Sequence, residues 1–224
     1  MKKEQRRRVK VFLFLLFFLN LSGWAQVSQS DVYSYPLGPQ TMDAFRKTSA
    51  NLAEHPIVRG NFEQEKVLSR LNRSLKSSGN FIIAAGQGMV WETLNPFPST
   101  LALGKDYLVQ SRPGGQKSVL SAQGNETFIS LAEVLSAVFS GQSQGLLDNF
   151  EVYFLEGAAD WELGLMPRNR AIASFAQRIS MKGDAAIKSI TIDEQNGDVI
   201  RYLLSNHSYP PELSVDEKSL FLLP

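Results

Sequence analysis

No cysteine occurs in the 224 residues. Disulfides are therefore excluded, and so is acylation of a lipobox cysteine, so the chain is not itself a lipoprotein. Histidine is nearly absent. His55 and His207 each lie near a proline-containing turn, and neither has a second His, Asp or Glu at ligand spacing. This argues against zinc, and no metal or other cofactor is expected. There is no G-x-S-x-G elbow, and Ser208 beside His207 makes no triad. Gly86-Gln87-Gly88 lacks the further glycines and the following helix of a phosphate loop. Asp193 and Glu194 are adjacent, so on a strand they point oppositely and form no acid–base pair. The sequence predicts a protein that is not an enzyme. Alternation of strands and helices in βαβ order is also missing, which points away from a parallel sheet.

Only one long apolar run exists, and it sits at the start. Lys2, Lys3, Arg6, Arg7, Arg8 and Lys10 precede Val11–Leu19, VFLFLLFFL, and Gly23 and Ala25 occupy small-x-small positions. This is the pattern of a secretory signal peptide, residues 1–25, cleaved after Ala25. Export to the periplasm is expected. The whole chain carries 23 Lys+Arg and 22 Asp+Glu, but six of the bases and one acid belong to the signal. The remainder has 17 basic and 21 acidic residues, net about −4, so nothing points to nucleic acid. Nothing suggests more than a monomer.

Residues 26–39 are polar and turn-rich and read as a flexible leader, followed by a single domain over residues 40–224. Thr41 can cap a helix bearing Met42, Phe45 and Leu52 that ends near Glu54, before Pro56. From Ile57 the period falls to two, and strands with turn signals follow. Ser69–Ser78 reads as a helical turn or a loop. A second amphipathic helix is marked by Phe128, Leu131, Leu135, Val138 and Phe139, with loop at residues 142–145. At the last hairpin, a three-residue loop of Gln195-Asn196-Gly197 pairs Ile192 with Ile200 and Ile190 with Tyr202. It makes one face wholly apolar and puts Gly197 in a left-handed bulge, so it is preferred over a two-residue turn. About ten antiparallel strands and two helices result.

Apolar side chain is what the strands have in abundance. The stretch GQGMVWETLNPFP, Gly86 to Pro98, directs Met89 and Trp91 to one side and Val90 and Leu94 to the other. Candidates to line an acyl-chain cavity are Phe45, Phe62, Phe81, Ile83, Met89, Trp91, Leu101, Leu103, Tyr107, Leu131, Leu135, Phe154, Leu163, Leu165, Ile190, Ile192, Ile200 and Tyr202. Two readings stand at this point. These side chains fill a dry core, or part of them encloses lipid.

Residues 57–68, IVRGNFEQEKVL, then SGNFIIAAGQGMVWETLNPFP, LGKDYLVQSRPG and the closing SITIDEQNGDVIRYLL resemble the periplasmic outer-membrane lipoprotein carrier family, LolA. The F-x-Q element is Phe62-Glu63-Gln64 and the G-x-x-W element is Gly88 to Trp91. The resemblance covers about residues 40–221. It implies an incomplete, half-open antiparallel β-barrel covered by a helical lid. It also implies a carrier that takes lipoproteins from an ATP-driven inner-membrane transporter, shields their acyl chains and passes them to an outer-membrane acceptor. One departure stands out. The family's well-known members carry an arginine before the proline that follows the tryptophan, and it helps hold the lid. Here Asn95 precedes Pro96. The family's latch does not transfer, and a different amphiphile, such as a glycolipid or polyene lipid, stays open as cargo. A scaffold with a dry core that binds a protein through a sheet edge is the third reading.

Overall fold

Eleven β-strands form one sheet in the computed structural model, which describes residues 31–104, 107–114, 117–121 and 143–221. The strands are β1 (Ile57–Leu68), β2 (Arg73–Ala84), β3 (Gly88–Asn95), β4 (Ser99–Leu103), β5 (Tyr107–Ser111), β6 (Lys117–Ser121), β7 (Phe150–Glu156), β8 (Trp161–Pro167), β9 (Ala176–Gly183), β10 (Ile187–Glu194) and β11 (Val199–Ser208). Their order is β6-β5-β4-β3-β2-β1-β11-β10-β9-β8-β7. Every pairing is antiparallel. Two meanders, β1–β6 and β7–β11, are joined where β1 meets β11.

The sheet is not closed, yet it is strongly curved. Strands β4 and β7 lie eight places apart, which in a flat sheet is about 38 Å. Nevertheless Met89 and Leu103 share one packed cluster with Phe154 and Leu163. A sheet wrapped round its own apolar face, with helices bridging it, accounts for this one cluster. Helices α1 (Met42–Ala53), α2 (Ser143–Asn149) and α3 (Arg170–Ala173) supply Phe45, Leu146 and Ile172 to this cluster. The phenyl rings of Phe45 and Phe154 meet edge to face at 5.7 Å. The architecture is therefore a half-open antiparallel β-barrel with helices over its concave side.

A smaller cluster lies on the convex side. Ile57, Ala84, Val90, Ala102 and Val109 alternate with the concave residues along β1–β5. They are covered by Leu213 and Phe221, which flank α4 (Val215–Leu220). Ser214 and Glu217 form a reciprocal capping box at the start of α4. The Arg59 guanidinium donates to Glu217 at 2.6 Å, and the Tyr107 hydroxyl donates to the Phe221 carbonyl. The chain end is thus a strap across the back of the barrel.

The triplet Gly-Asn-Phe occurs twice, at residues 60–62 and 79–81. Antiparallel pairing sets Gly60 opposite Phe81, Asn61 opposite Asn80 and Phe62 opposite Gly79. Each phenyl ring lies over the facing glycine. A Cβ on Gly60 would sit 2.6 Å from the Phe81 ring, and one on Gly79 would sit 3.0 Å from Phe62 and 1.8 Å from the Glu92 carbonyl oxygen. Glycine inside a strand is a cost, offset here because it admits two large rings side by side. Behind them the asparagines bond at 2.7 Å, extended by Asn206 to Asn61 at 2.8 Å and Asn80 to Glu92 at 3.2 Å.

Several expectations are corrected. Ser69–Leu71 is a single 3-10 turn and β2 already begins at Arg73, because the charged stretch pairs along the whole of β1. Residues 143–149 are helix rather than loop at their start, anchored by buried Leu146. The described part of the leader, residues 31–39, is ordered. Leu37 N–H donates to Val152 O and Phe154 N–H to Tyr35 O, so this segment covers the edge of β7, and Val32 is buried. Thr41 precedes α1 but its hydroxyl bonds Gly38, not the helix. The signal segment and the helix expected over Phe128–Phe139 lie outside the described residues.

Candidate functional site

The concave face divides into two halves. Under α1–α3, the β7–β9 half is sealed: Phe154, Leu163, Leu165, Ile179 and Met181 are all buried. The β1–β5 half and the adjoining β10–β11 hairpin mix buried Phe62, Phe81, Ile83, Met89 and Leu103 with Trp91, Leu101, Leu108, Ile190, Ile192 and Tyr202, which are only half-buried. Trp91 is central. It stacks on Phe62 at 4.2 Å and on Phe81 at 5.8 Å, and meets Tyr202 edge-on at 5.3 Å. The two Gly-Asn-Phe triplets therefore build the bed on which the tryptophan lies.

The face becomes polar toward one end. In register beyond Phe62, Gln64 faces Tyr202 and Lys66 faces Ile200. The Lys66 ammonium donates to Glu194 at 2.7 Å and stands 4.0 Å from Asp198. Burial, reinforced by the Glu194 charge, pushes the Tyr202 phenol up to about 12. It stays a neutral donor at any physiological pH.

The other end holds both histidines. His55 stacks on Tyr209 at 4.0 Å, and His207 meets Phe81 edge-on at 5.8 Å. With Leu52, Val58, Ile187 and Leu204 they border a cleft whose free space, about 20 Å³, suits a single water. Burial first, then the Lys188 charge, holds the His207 imidazole below its ordinary pKa. Among the described residues no three His, Asp or Glu side chains are placed to hold a metal.

Most of the sequence-predicted candidates share the concave face. Phe62, Phe81, Ile83, Met89, Trp91, Leu101 and Leu103 lie there by register from β1–β4, and Phe154, Leu163, Leu165, Ile190, Ile192, Ile200 and Tyr202 from β7–β11. Phe45 reaches them from α1. Tyr107 does not. It packs in the convex cluster, and burial raises its phenol pKa. The reason is Gly104, whose N–H donates to the Tyr107 carbonyl and turns the chain between β4 and β5, so that Leu108 takes the place opposite Leu103. Leu131 and Leu135 lie outside the described residues. The hairpin register is as expected, with Ile192 opposite Ile200, Ile190 opposite Tyr202 and Gly197 at φ +88°. Sequence reasoning passed over Leu108, placed Gln64 only in the F-x-Q element and did not single out Lys66. The last two were findable, standing two and four residues after Phe62 on a strand of period two.

An open antiparallel sheet wrapped round an apolar concave face defines a half-barrel. The family model described as outer membrane lipoprotein carrier protein LolA-like matches residues 38–210, and the chain belongs to that family. No curated protein matches it. Among solved structures it is similar to a LolA superfamily protein from Nitrosomonas europaea, at 9% identity over 81% of this chain and 97% of that one, with TM-score 0.47. A domain of an outer membrane lipoprotein-sorting protein from Vibrio parahaemolyticus is 10% identical over 80% of this chain and 97% of that one, with TM-score 0.43. The lipoprotein LppX of Mycobacterium tuberculosis is 9% identical over 79% of this chain and 100% of that one, with TM-score 0.41.

Proposed function

We propose that the protein is a periplasmic carrier that shields the acyl chains of lipoproteins on the half-buried part of its concave face and ferries them from the inner to the outer membrane. The observation that supports this reading is the Trp91 bed: Trp91 and its neighbours Leu101, Leu108, Ile190, Ile192 and Tyr202 are only half-buried over a floor of buried Phe62 and Phe81, while the concave residues of β7–β9 are sealed. Burial of lipid tails is worth ~0.8 kcal/mol per CH₂, so such a surface binds without specific polar recognition. The polar end at Gln64, Lys66 and Tyr202 is suited to the point where acyl chains join their polar linkage. The protein works by binding alone, on this reading, with an ATP-driven transporter as donor and an outer-membrane acceptor as recipient.

Native mass spectrometry of the protein taken from the periplasm without detergent tests this. An added mass that fragments to a triacylated protein is the expected result. An added mass equal to a free lipid transfers the role to another amphiphile. A bare mass, unchanged after incubation with lipoprotein-bearing membranes, overturns the carrier reading.

A further inference from the structure

Antiparallel alternation gathers the turns 69–72, 94–98 and 112–114 at one end of the barrel, across strands β1–β5, a width of about 20 Å. β3 joins β2 only at Ser78, so Arg73–Ser77 form a free edge of the sheet there, while β1 behind them stays paired with β11 as far as Val67. These tips expose Leu71, Leu75, Leu94 and Phe97, the last at 82% of its surface. Among them stand Arg70, Arg73 and Arg112, all exposed, and none in an ion pair among the described residues. Lys76, on the same free edge, faces Glu65. No acidic residue occurs in these three turns; the β10–β11 turn at the same end brings Asp198 to the Ser69 N–H, and its Glu194 is paired with Lys66.

The opposite end has the reverse character. Glu54, Glu156, Asp160, Asp184 and Glu212 are exposed in its turns and borders, with two of them neutralised by Lys188 and Lys218. The chain beyond its first 25 residues is net acidic, about −4, so an anionic surface repels the body as a whole. An exposed arginine set ringed by large apolar side chains is then a local exception that fits one kind of surface. Cations meet phosphate, and aromatic and leucine side chains enter the headgroup layer.

We infer that this basic, apolar end is a docking surface for an anionic phospholipid bilayer, on which the barrel stands with its acidic end away from the membrane. The contact is reversible, since three cations and a few apolar tips fall far short of a stable anchor.

Flotation with vesicles tests the surface on protein recovered from the periplasm of cells expressing the full chain. The protein should float with phosphatidylethanolamine–phosphatidylglycerol vesicles at low salt, and stay behind with pure phosphatidylcholine or at high salt. Each of Arg70→Ser, Arg73→Ser and Arg112→Ser should lower the bound fraction roughly fivefold. Phe97→Asp should lower it as well, with an unchanged melting curve, since the residue is 82% exposed. Glu54→Gln at the other end should leave flotation as it is. Trp91→Asp separates docking from cargo loading, because it should float normally whether or not the carrier reading holds. Flotation that follows Trp91 and ignores the arginines overturns the inference. So does a lack of flotation on anionic vesicles, which would direct this end to a protein partner.

Discussion

Two halves of one concave face, built from the same kinds of residue, end in different states. On β7–β9 the phenylalanine, leucine and methionine side chains are sealed beneath Phe45, Leu146 and Ile172. On β2–β5 and β10–β11 Trp91, Leu101, Leu108, Ile190, Ile192 and Tyr202 are just as apolar and only half-buried. The difference lies in the neighbours rather than in strand composition. The sealed half receives α1, α2 and α3, and its edge is closed by residues 35–37 along β7. Hydrophobic side chains are thus sealed where α1–α3 pack on them, and stay half-buried among the described residues beyond those helices.

The largest effect that would mark the sealed half is Phe154→Ala. Phe154 is about 1% exposed and meets Phe45 edge-on. The expected loss is about 3–5 kcal/mol of unfolding free energy in urea. A loss below ~1 kcal/mol would mean that this half, too, has room to relax. Gly79→Ala comes next. The added methyl would lie 1.8 Å from a backbone oxygen, which must move, and overpacking of this kind costs about 1–3 kcal/mol. If the variant is as stable as the parent, the Phe62–Gly79 pairing is not the source of the aromatic bed.

The same triplets show how far the sequence could be read. Alternation located most of the strands, and the hydrophobic pattern chose the register of the β10–β11 hairpin, because a slip of one residue would set isoleucine against arginine. The twofold Gly-Asn-Phe was visible as letters, but its meaning is tertiary: only the β1–β2 register makes the two copies complementary. Ser214 and Glu217 spell a capping box, so α4 too was present in the letters. Residues 31–37 were not legible as structure. A segment such as Tyr-Ser-Tyr-Pro takes its order from the edge of β7 and has no periodicity of its own. Tyr107 was misplaced because a short strand of five residues leaves parity to the turn before it. Which half of the concave face would stay half-buried could not be read from strands at all, since it depends on where the helices lie.

Trp91→Asp distinguishes the halves by function. The ring leaves contacts with Phe62, Phe81 and Tyr202, and aromatic pairs contribute ~0.5–1.5 kcal/mol each beyond their area. Acyl-chain binding should fall by about tenfold or more, read by displacement of a fluorescent fatty acid, with the fold kept in circular dichroism. Normal binding would remove this part of the face from the site. Outright unfolding would place Trp91 with the sealed half and leave no functional distinction between the two.

The smallest effect belongs to the convex strap, where Glu217→Gln keeps the capping geometry and removes the charge. Burial raises the pKa of the Glu217 carboxyl, but bonds from Ser214 and the Arg59 guanidinium outweigh it and leave it below the ordinary value of 4.5. A carboxylate with a depressed folded pKa stabilises the fold fully above its unfolded pKa, and that contribution is lost as pH falls through the folded value. The parent should therefore lose strap stability only below about pH 4.5, whereas the variant should be weaker by less than about 1 kcal/mol at neutral pH and flatter on acidification. The strap covers Val90 and Ala102, whose neighbours Trp91 and Leu101 face the other way. Acyl-chain binding at neutral pH should then be unchanged in the variant. A coupled loss of binding would mean that the two faces of β3 and β4 act as one unit, with the strap setting the curvature of the sheet around Trp91.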